Sequence, residues 1–365
     1  MVKVGILYGG RSQEHDVSRC SAASVISAID KSRYEVVAVG IDRDGKWYVQ
    51  ESPNIVHDED FGSLLSLEKT GKWLINHYED NNKLKLYNIN DNKCVELDIV
   101  FPVIHGTFCE DGTLQGLLEL SMVPFIGADV LGSAIAMDKD IAKRLLRDNS
   151  IPVVPWITFT KSDWDNKSSD IVRNIFYELD LPVFIKPCCA GSSVGVVKVK
   201  EKGNLENAIE YAFKIDDRIL VEKAIDGREI ECSVLGNYNA EASILGEVIP
   251  QHEYYSYEAK YIDPDGARLI IPADVDNALA DEIRQTAIEA CNILRCNGMA
   301  RVDFFLENNS SAYYLNEINT LPGFTSISMY PKLWENTGLK YSDLLDRLID
   351  LAFESHRERL RISSL

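Results

Sequence analysis

The fold class the sequence predicts is an α/β unit at the N-terminus followed by α+β units, and three observations predict it. "KVGILYGG" reads as a buried strand running into a glycine turn, "DVSRCSAASVISAID" as a helix and "EVVAVGID" as a second strand, an order that implies parallel pairing. From "RILVEKAI" onward, β segments follow one another with few helices between them, which points to an antiparallel arrangement. A chain of 365 residues with 45% apolar residues is also long enough for two or three cores.

The first unit, 1–126, continues to "DIVFPVIHG", another strand into a turn, and to the helix "LQGLLELS". The second, 127–217, opens with the helix "LGSAIAMDKDIAKRLLRDN" and crosses the pre-proline stretch "SIPVVPW". It holds the helix "DIVRNIFYEL", the strand "PVFIKP" and the segment "SSVGVVKVK". The third, 218–365, carries "RILVEKAI", "EIECSVLG", "ASILGEVI", "MARVDFFLE" and "AYYLNEIN", with helices around 278–296 and 340–354. Within it, 251–268 ("QHEYYSYEAKYIDPDGAR") has no clean period; irregular segments of that length are commonly functional, and its tyrosines argue against a plain linker. Neither an internal repeat nor a low-complexity tract is present.

A formal charge of −19 repels phosphate backbones and anionic lipid, so nucleic acid and membrane are not expected partners. No apolar stretch approaches the roughly 20 residues of a spanning helix, and the N-terminus lacks a cleavage-site pattern, which leads to the expectation of a cytoplasmic protein. Eight scattered cysteines without a CxxC pair fit a reduced chain and no structural zinc site. Adjacent Cys188 and Cys189 are either ordinary small buried residues or a reactive thiol beside a lysine.

"AYYLNEINTLPGF" poses the central question, because Glu317 and Asn319 share one face of an apolar strand. Asp303 and Arg301 do the same on "MARVDFF". Asp303, Glu317 and Asn319 make an all-oxygen set of the kind that suits Mg²⁺; the alternative is a solvated stripe on an edge strand. Arg301 would be out of place there unless an anion sits beside it. "KPCCAGSSVG" sets Lys186 at a strand end before a Gly-Ser-Ser turn, either a phosphate cradle or only a turn; it has no Walker A spacing. Lys139 in "AMDKD" by itself reads as solvated helix surface. "GGRSQEHDVS" offers N–H groups and Glu14 after the first strand without the dinucleotide fingerprint, and "VIHGTFCEDGTLQG" repeats that design with His105 and Glu110. His105 is a satisfied structural residue on one reading and a site residue on the other.

Taken in order, "GGRSQEHDVS", "HGTFCEDGTLQG", "MDK", "KPCCAGSSVG", "VEKAIDGREIE", "YEAKY", "RVDFF" and "NEINTLPGFTSIS" resemble the D-alanine:D-alanine ligases of the ATP-grasp superfamily over nearly the whole chain. The resemblance implies a three-domain ATP-grasp fold whose two α+β domains clasp ATP. It also implies an enzyme that joins two D-alanines for peptidoglycan precursors, a homodimer, and a need for ATP with two Mg²⁺ ions, Mn²⁺ being a substitute. It implies that Lys139, Lys186 and Lys260 bind phosphates, and that Glu222, Ala224, Ile225 and Glu229 contact adenine and ribose. Ser193, Lys223, Phe305, Asn316 and Glu317 complete the nucleotide set. Asp303, Glu317 and Asn319 correspond to the metal ligands, and Glu14, Ser192 and Tyr261 to the first D-alanine's partners. Arg301, Gly323 and Ser328 correspond to the groups that steady the reacting carbonyl and the second carboxylate, with His105 among the catalytic set. The Tyr-rich segment 251–268 is then the expected lid, carrying Lys260 and Tyr261.

Phe108 and Cys109 stand where members often have glycine, Cys188, Cys189 and Ala190 replace the usual residues before the serine turn, and Asp16 replaces a commoner Glu. The nearest alternatives are a D-alanine:D-serine or D-alanine:D-lactate ligase, against which Tyr261 and Val194 speak. Further off stand an ATP-grasp ligase for another acid and a non-catalytic nucleotide-binding module.

Overall fold

The computed structural model describes residues 1–76, 82–250, 266–325 and 327–363. The N-terminal expectation of parallel pairing holds: β1 (Val2–Gly9) pairs in parallel with β2 (Tyr34–Ile41) and with β9 (Ile99–Pro102), and α1 (His15–Ala28) connects β1 to β2. Glycine ends β1 for a steric reason. Gly9 has φ +90, and a Cβ there would lie 2.3 Å from the Ile41 carbonyl oxygen. The sheet order is β3-β2-β1-β9, with β3 (Trp47–Val49) antiparallel at the edge. Between β3 and β9 lie a hairpin, β4 (Ile55–Asp58) and β5 (Gly62–Leu65), and a three-stranded sheet of β6 (Trp73–Asn76), β7 (Leu84–Asn88) and β8 (Cys94–Leu97). These strands are too short for alternation to mark them in the sequence. Helix α2 (Thr113–Leu120) closes the unit.

The expected helix over 131–149 is two helices, α3 (Val130–Met137) and α4 (Lys139–Asp148). The break is Asp138, whose extended backbone and side chain cap α4 by accepting from the N–H groups of Asp140 and Ile141. Lys139 thus starts a helix beside the cap rather than lying on a solvated helix surface. Both helices pack on the third sheet: Ala136 and Leu146 share a core with Ile230, Ile283 and Leu294.

The second sheet has the order β10-β13-β11-β12, all antiparallel: β10 (Trp156–Thr160), β11 (Val183–Pro187), β12 (Val197–Val199) and β13 (Arg218–Lys223). This corrects two sequence groupings. "RILVEKAI", read as opening the third unit, is β13 and fills the space between β10 and β11, so the expected boundary at 217/218 cuts this sheet. "SSVGVVKVK" is mostly turn and forms a strand only at Val197–Val199. α5 (Lys161–Glu178) and α6 (Leu205–Ala212) cover the sheet, burying Ile175, Ile185, Ile209 and Val221.

The third sheet is antiparallel, in the order β16-β15-β14-β17-β18: β14 (Gly227–Gly236), β15 (Glu241–Pro250), β16 (Ala267–Ile270), β17 (Gly298–Glu307) and β18 (Tyr313–Asn319). α7 (Asn277–Leu294), α8 (Met329–Thr337) and α9 (Tyr341–Ser363) pack around it. Phe101 of β9 meets Phe324 edge to face at 5.4 Å, and Ile6, Tyr330 and Leu348 lie in the same core. The first and third units therefore share one apolar interior, which fixes the strand ends that face the site.

A candidate active site in the cleft between three sheets

One continuous cleft is lined by residues at the ends of the three larger sheets. Glu14, His105, Lys139, Ser192, Arg301, Glu317, Asn319, Gly323 and Ser328 line one part. Lys139, Ser192 and Glu317 carry over into the next, with Lys186, Ser193, Glu229, Asp303, Phe305 and Asn316. Glu229 and Phe305 continue into an outer groove with Glu222, Lys223, Ala224 and Ile225. The site residues expected from sequence thus come together, except Lys260 and Tyr261, which lie outside the described residues along with most of the expected lid.

Register explains the carboxylate set. Asp303 on β17 faces Glu317 on β18 and, on its other side, Glu231 on β14, while Arg301 faces Asn319. A row of three carboxylates crosses three adjacent strands, and side chains directly opposite lie only about 5 Å apart at Cβ. Such a row requires cations, and Arg301 is one. Its Nε and Nη2 donate to the two Asp303 oxygens at 2.7 Å each, and Nε lies 2.9 Å from Glu231 Oε2. The anion that Arg301 needs is therefore supplied by the protein itself. Asn319 Nδ2 donates to Asp303 Oδ2 at 3.0 Å, and Lys139 Nζ lies 4.0 Å from Glu317 Oε2. Two carboxylates and a carboxamide converging from paired strands fit a hard divalent ion, which takes oxygen donors.

On the opposite wall, Ser192 and Ser193 both have positive φ, +49 and +58, in a turn. Two successive side-chain-bearing residues in that region store strain of order 1 kcal/mol each, a cost usually retained where a ligand meets the backbone. Ser192 Oγ is buried without a hydrogen-bond partner among the described residues. Lys139 Nζ donates to the Ala190 carbonyl at 2.7 Å, holding this turn against α4. Lys186 Nζ lies 3.1 Å from Asn316 Oδ1 and 2.5 Å from Glu222 Oε2. Two ammonium groups beside a strained serine turn suit a phosphate chain.

Glu222, expected to face the nucleotide, is buried between two lysines. The second is Lys143, whose Nζ lies 2.6 Å from Glu222 Oε1 and 5.8 Å from the Trp156 ring centre. Burial would raise the Glu222 carboxyl, but Lys143 and Lys186 outweigh it and hold the group below its ordinary value. Burial lowers Lys143 in spite of Glu222. Burial also opposes the charge on Lys186, yet Glu222 and Glu317 leave it raised. Sequence reasoning missed Lys143, which stands one helical turn after Lys139; that spacing was the available signal.

At the first sheet, His105 is buried. Its Nδ1 lies 2.9 Å from the Leu321 carbonyl and its Nε2 3.2 Å from Ser21 Oγ, and burial keeps the ring below its ordinary pKa. A neutral ring donating from Nδ1 satisfies both contacts, so His105 ties the first sheet to the loop after β18. Glu110 makes the same tie, accepting the N–H of Gly106 at 2.7 Å and of Leu321 at 3.0 Å. Burial, then the charge of Glu14, push its carboxyl up to about 8. Glu14 is bracketed by glycines: a Cβ on Gly106 would come within 2.7 Å of its Oε2, and one on Gly191 within 3.6 Å. Across the cleft, a Cβ on Gly323 would lie 2.8 Å from Ser328 Oγ, so only glycine leaves that backbone and hydroxyl side by side.

The whole chain is similar to known proteins. Residues 3–128 match the D-ala D-ala ligase N-terminus family, and residues 145–350 the D-ala D-ala ligase C-terminus family. A D-alanine–D-alanine ligase from Shouchella clausii is 47% identical over 99% of this chain and 97% of its own length. Among solved structures, the D-alanine-D-alanine ligase from Coxiella burnetii superposes with TM-score 0.81 at 34% identity, over 100% of this chain and 98% of that one. The VanG D-Ala:D-Ser ligase from Enterococcus faecalis does so with TM-score 0.81 at 33% identity, over 96% and 99%. With both halves matched and the relatives covered nearly end to end, the chain belongs to the D-alanine–D-alanine ligase family and has the ATP-grasp fold of that family.

Proposed function

We propose that this enzyme joins two D-alanines at the expense of ATP, through an acyl phosphate, to supply D-alanyl-D-alanine for peptidoglycan precursors. The observation that supports the reading is the shared wall: Lys139, Ser192 and Glu317 line both the part of the cleft beside Glu14 and Gly323 and the part beside Lys186 and Asn316. A carboxylate is a poor electrophile, so the first D-alanine's carboxylate oxygen attacks the γ-phosphate in line and ADP leaves, which requires two anions to approach each other. Lys139, Lys186 and Lys260 offset that charge. Magnesium, held by Asp303, Glu317 and Asn319, supplies further positive charge at the phosphates, and manganese substitutes for it. Glu222, Lys223, Ala224, Ile225, Glu229 and Phe305 hold the base and ribose.

Glu14 takes the first D-alanine's ammonium, with Ser192 and Tyr261 beside it. The second D-alanine's amine, once its ammonium has lost a proton, attacks the acyl carbon, Arg301 with the Gly323 N–H receives the developing oxyanion, and inorganic phosphate leaves as the amide forms. Ser328 steadies the second carboxylate. His105 and Glu110 act by holding the Leu321 backbone, and so the Gly323 loop, against the first sheet. The enzyme works in the cytoplasm as a homodimer. Among the described residues, no helix is long and apolar enough to cross a membrane.

Phosphate release with ATP and D-alanine alone, compared with D-serine or D-lactate as co-substrate, tests the reading. We expect D-alanine alone to suffice. A chain that releases phosphate only when D-serine is added belongs instead with the D-Ala:D-Ser activity named for its structural neighbour.

A further inference from the structure

The fork of two hydrogen bonds between Arg301 and Asp303 engages a carboxylate that the ligase reading gives to a metal ion. Arg301 Nε and Nη2 each lie 2.7 Å from one Asp303 oxygen, and Asn319 Nδ2 adds a contact to Oδ2 at 3.0 Å. A guanidinium is a permanent cation with a rigid fork, so it competes with a divalent ion for the same charge and lone pairs. Arg301 has a second anchor in Glu231, 2.9 Å from its Nε. Register places Glu231 and Glu317 on opposite sides of Asp303. The row therefore offers positions for a cation on both flanks of Asp303, and the guanidinium lies on the Glu231 flank. Arg301 opens toward Gly323 and Ser328, whereas Asp303 opens toward Lys186 and Asn316.

Building on the proposed function, we infer that Arg301 is handed over by the metal. An ion taking Asp303 from the Glu317 side loosens the fork, and the guanidinium, still tethered to Glu231, turns toward the Gly323 N–H where the oxyanion forms. Metal loading and assembly of the oxyanion donors are then one event.

The test is a titration of Mn²⁺ into the full chain without nucleotide, reading free Mn²⁺ by electron paramagnetic resonance, for wild type, Arg301→Met and Arg301→Lys. Removing the competing cation should tighten Mn²⁺ binding on the order of tenfold in Arg301→Met. A purely Coulombic effect of the lost charge would tighten Arg301→Met as well, but would leave Arg301→Lys at wild-type affinity. Arg301→Lys keeps the charge but lacks the fork and should fall between, and it decides the matter if Arg301→Met does not fold. Affinity equal to or weaker than wild type in the folded variants overturns the handover while leaving the metal site intact. Mn²⁺ bound by none of the three, even when ADP is added to supply phosphate oxygens, overturns the metal reading beneath it.

Discussion

Two substitutions in the buried Lys143–Glu222–Lys186 group should differ in cost although each removes one charge. The Lys143 and Glu222 side chains are each 2% exposed, and Glu222 has an ammonium within 2.6 Å on either side. Glu222→Gln leaves two ammonium groups in the interior without their anion, and removing one partner of a buried pair costs about 3–5 kcal/mol. Lys143→Met fills similar volume, deletes the lysine that burial already penalises, and leaves Glu222 paired with Lys186. It should cost about 2 kcal/mol, the order of one hydrogen bond to a charged group, since Glu222 keeps Lys186 as its counter-ion. Urea unfolding of the two variants side by side, followed by tryptophan fluorescence, measures the difference; Trp156 stacks near Lys143. The pH sign is fixed as well. Glu222 is depressed in the folded chain, so its stabilisation is present above its ordinary value of 4.5 and lost as pH falls through the folded value. The Glu222→Gln penalty should therefore shrink in acid. A Lys143→Met loss as large as that of Glu222→Gln would refute this account of who neutralises whom.

Glu110 has the opposite sign: its carboxyl is raised from 4.5 to about 8, so the folded state holds a proton that the unfolded chain has released. Stability should fall as pH rises across that window, and Glu110→Gln should flatten the slope while weakening one backbone contact; an unchanged slope in thermal unfolding counts against the shift. Glu317→Gln should lower turnover by at least about 100-fold, because one oxygen anion is lost from the proposed metal set. Near-normal phosphate release would remove Glu317 from that set. Gly323→Ala should reduce kcat with little change in the KM for ATP, since a methyl group would press on Ser328 Oγ at 2.8 Å; a selective rise in the KM for ATP would contradict the placement of Gly323 at the amino-acid end.

Much of the cleft was legible because a strand exposes its chemistry at a period of two. Glu317 and Asn319 on one face, with Asp303 on a neighbouring strand, could be read as one cluster before any pairing was known. The parallel N-terminal pairing followed from alternating strand and helix patterns. Other features left no local mark. Glu231 was not singled out in the sequence, and only register sets it opposite Asp303. Lys143 was not singled out, and its spacing from Lys139 says nothing of a partner; its ammonium meets Glu222 of β13 only once α4 has packed. The position of β13 between β10 and β11 was also hidden, because order within a sheet depends on which edge buries which face.

By itself, the sequence determined the alternation of strand and helix, the residue types at each strand end, and the oxygen, lysine and serine-turn groups that a phosphate-handling cleft needs. Local geometry is enough for these, since side-chain direction follows from a few neighbouring dihedrals. Only the tertiary structure decided which charges face each other. Arg301 is held by Glu231, Lys186 reaches Asn316, and His105 grips the Leu321 carbonyl, contacts that join residues far apart in the chain. Coulomb and hydrogen-bond energies depend on separation in space and on burial, and neither exists until the sheets have packed.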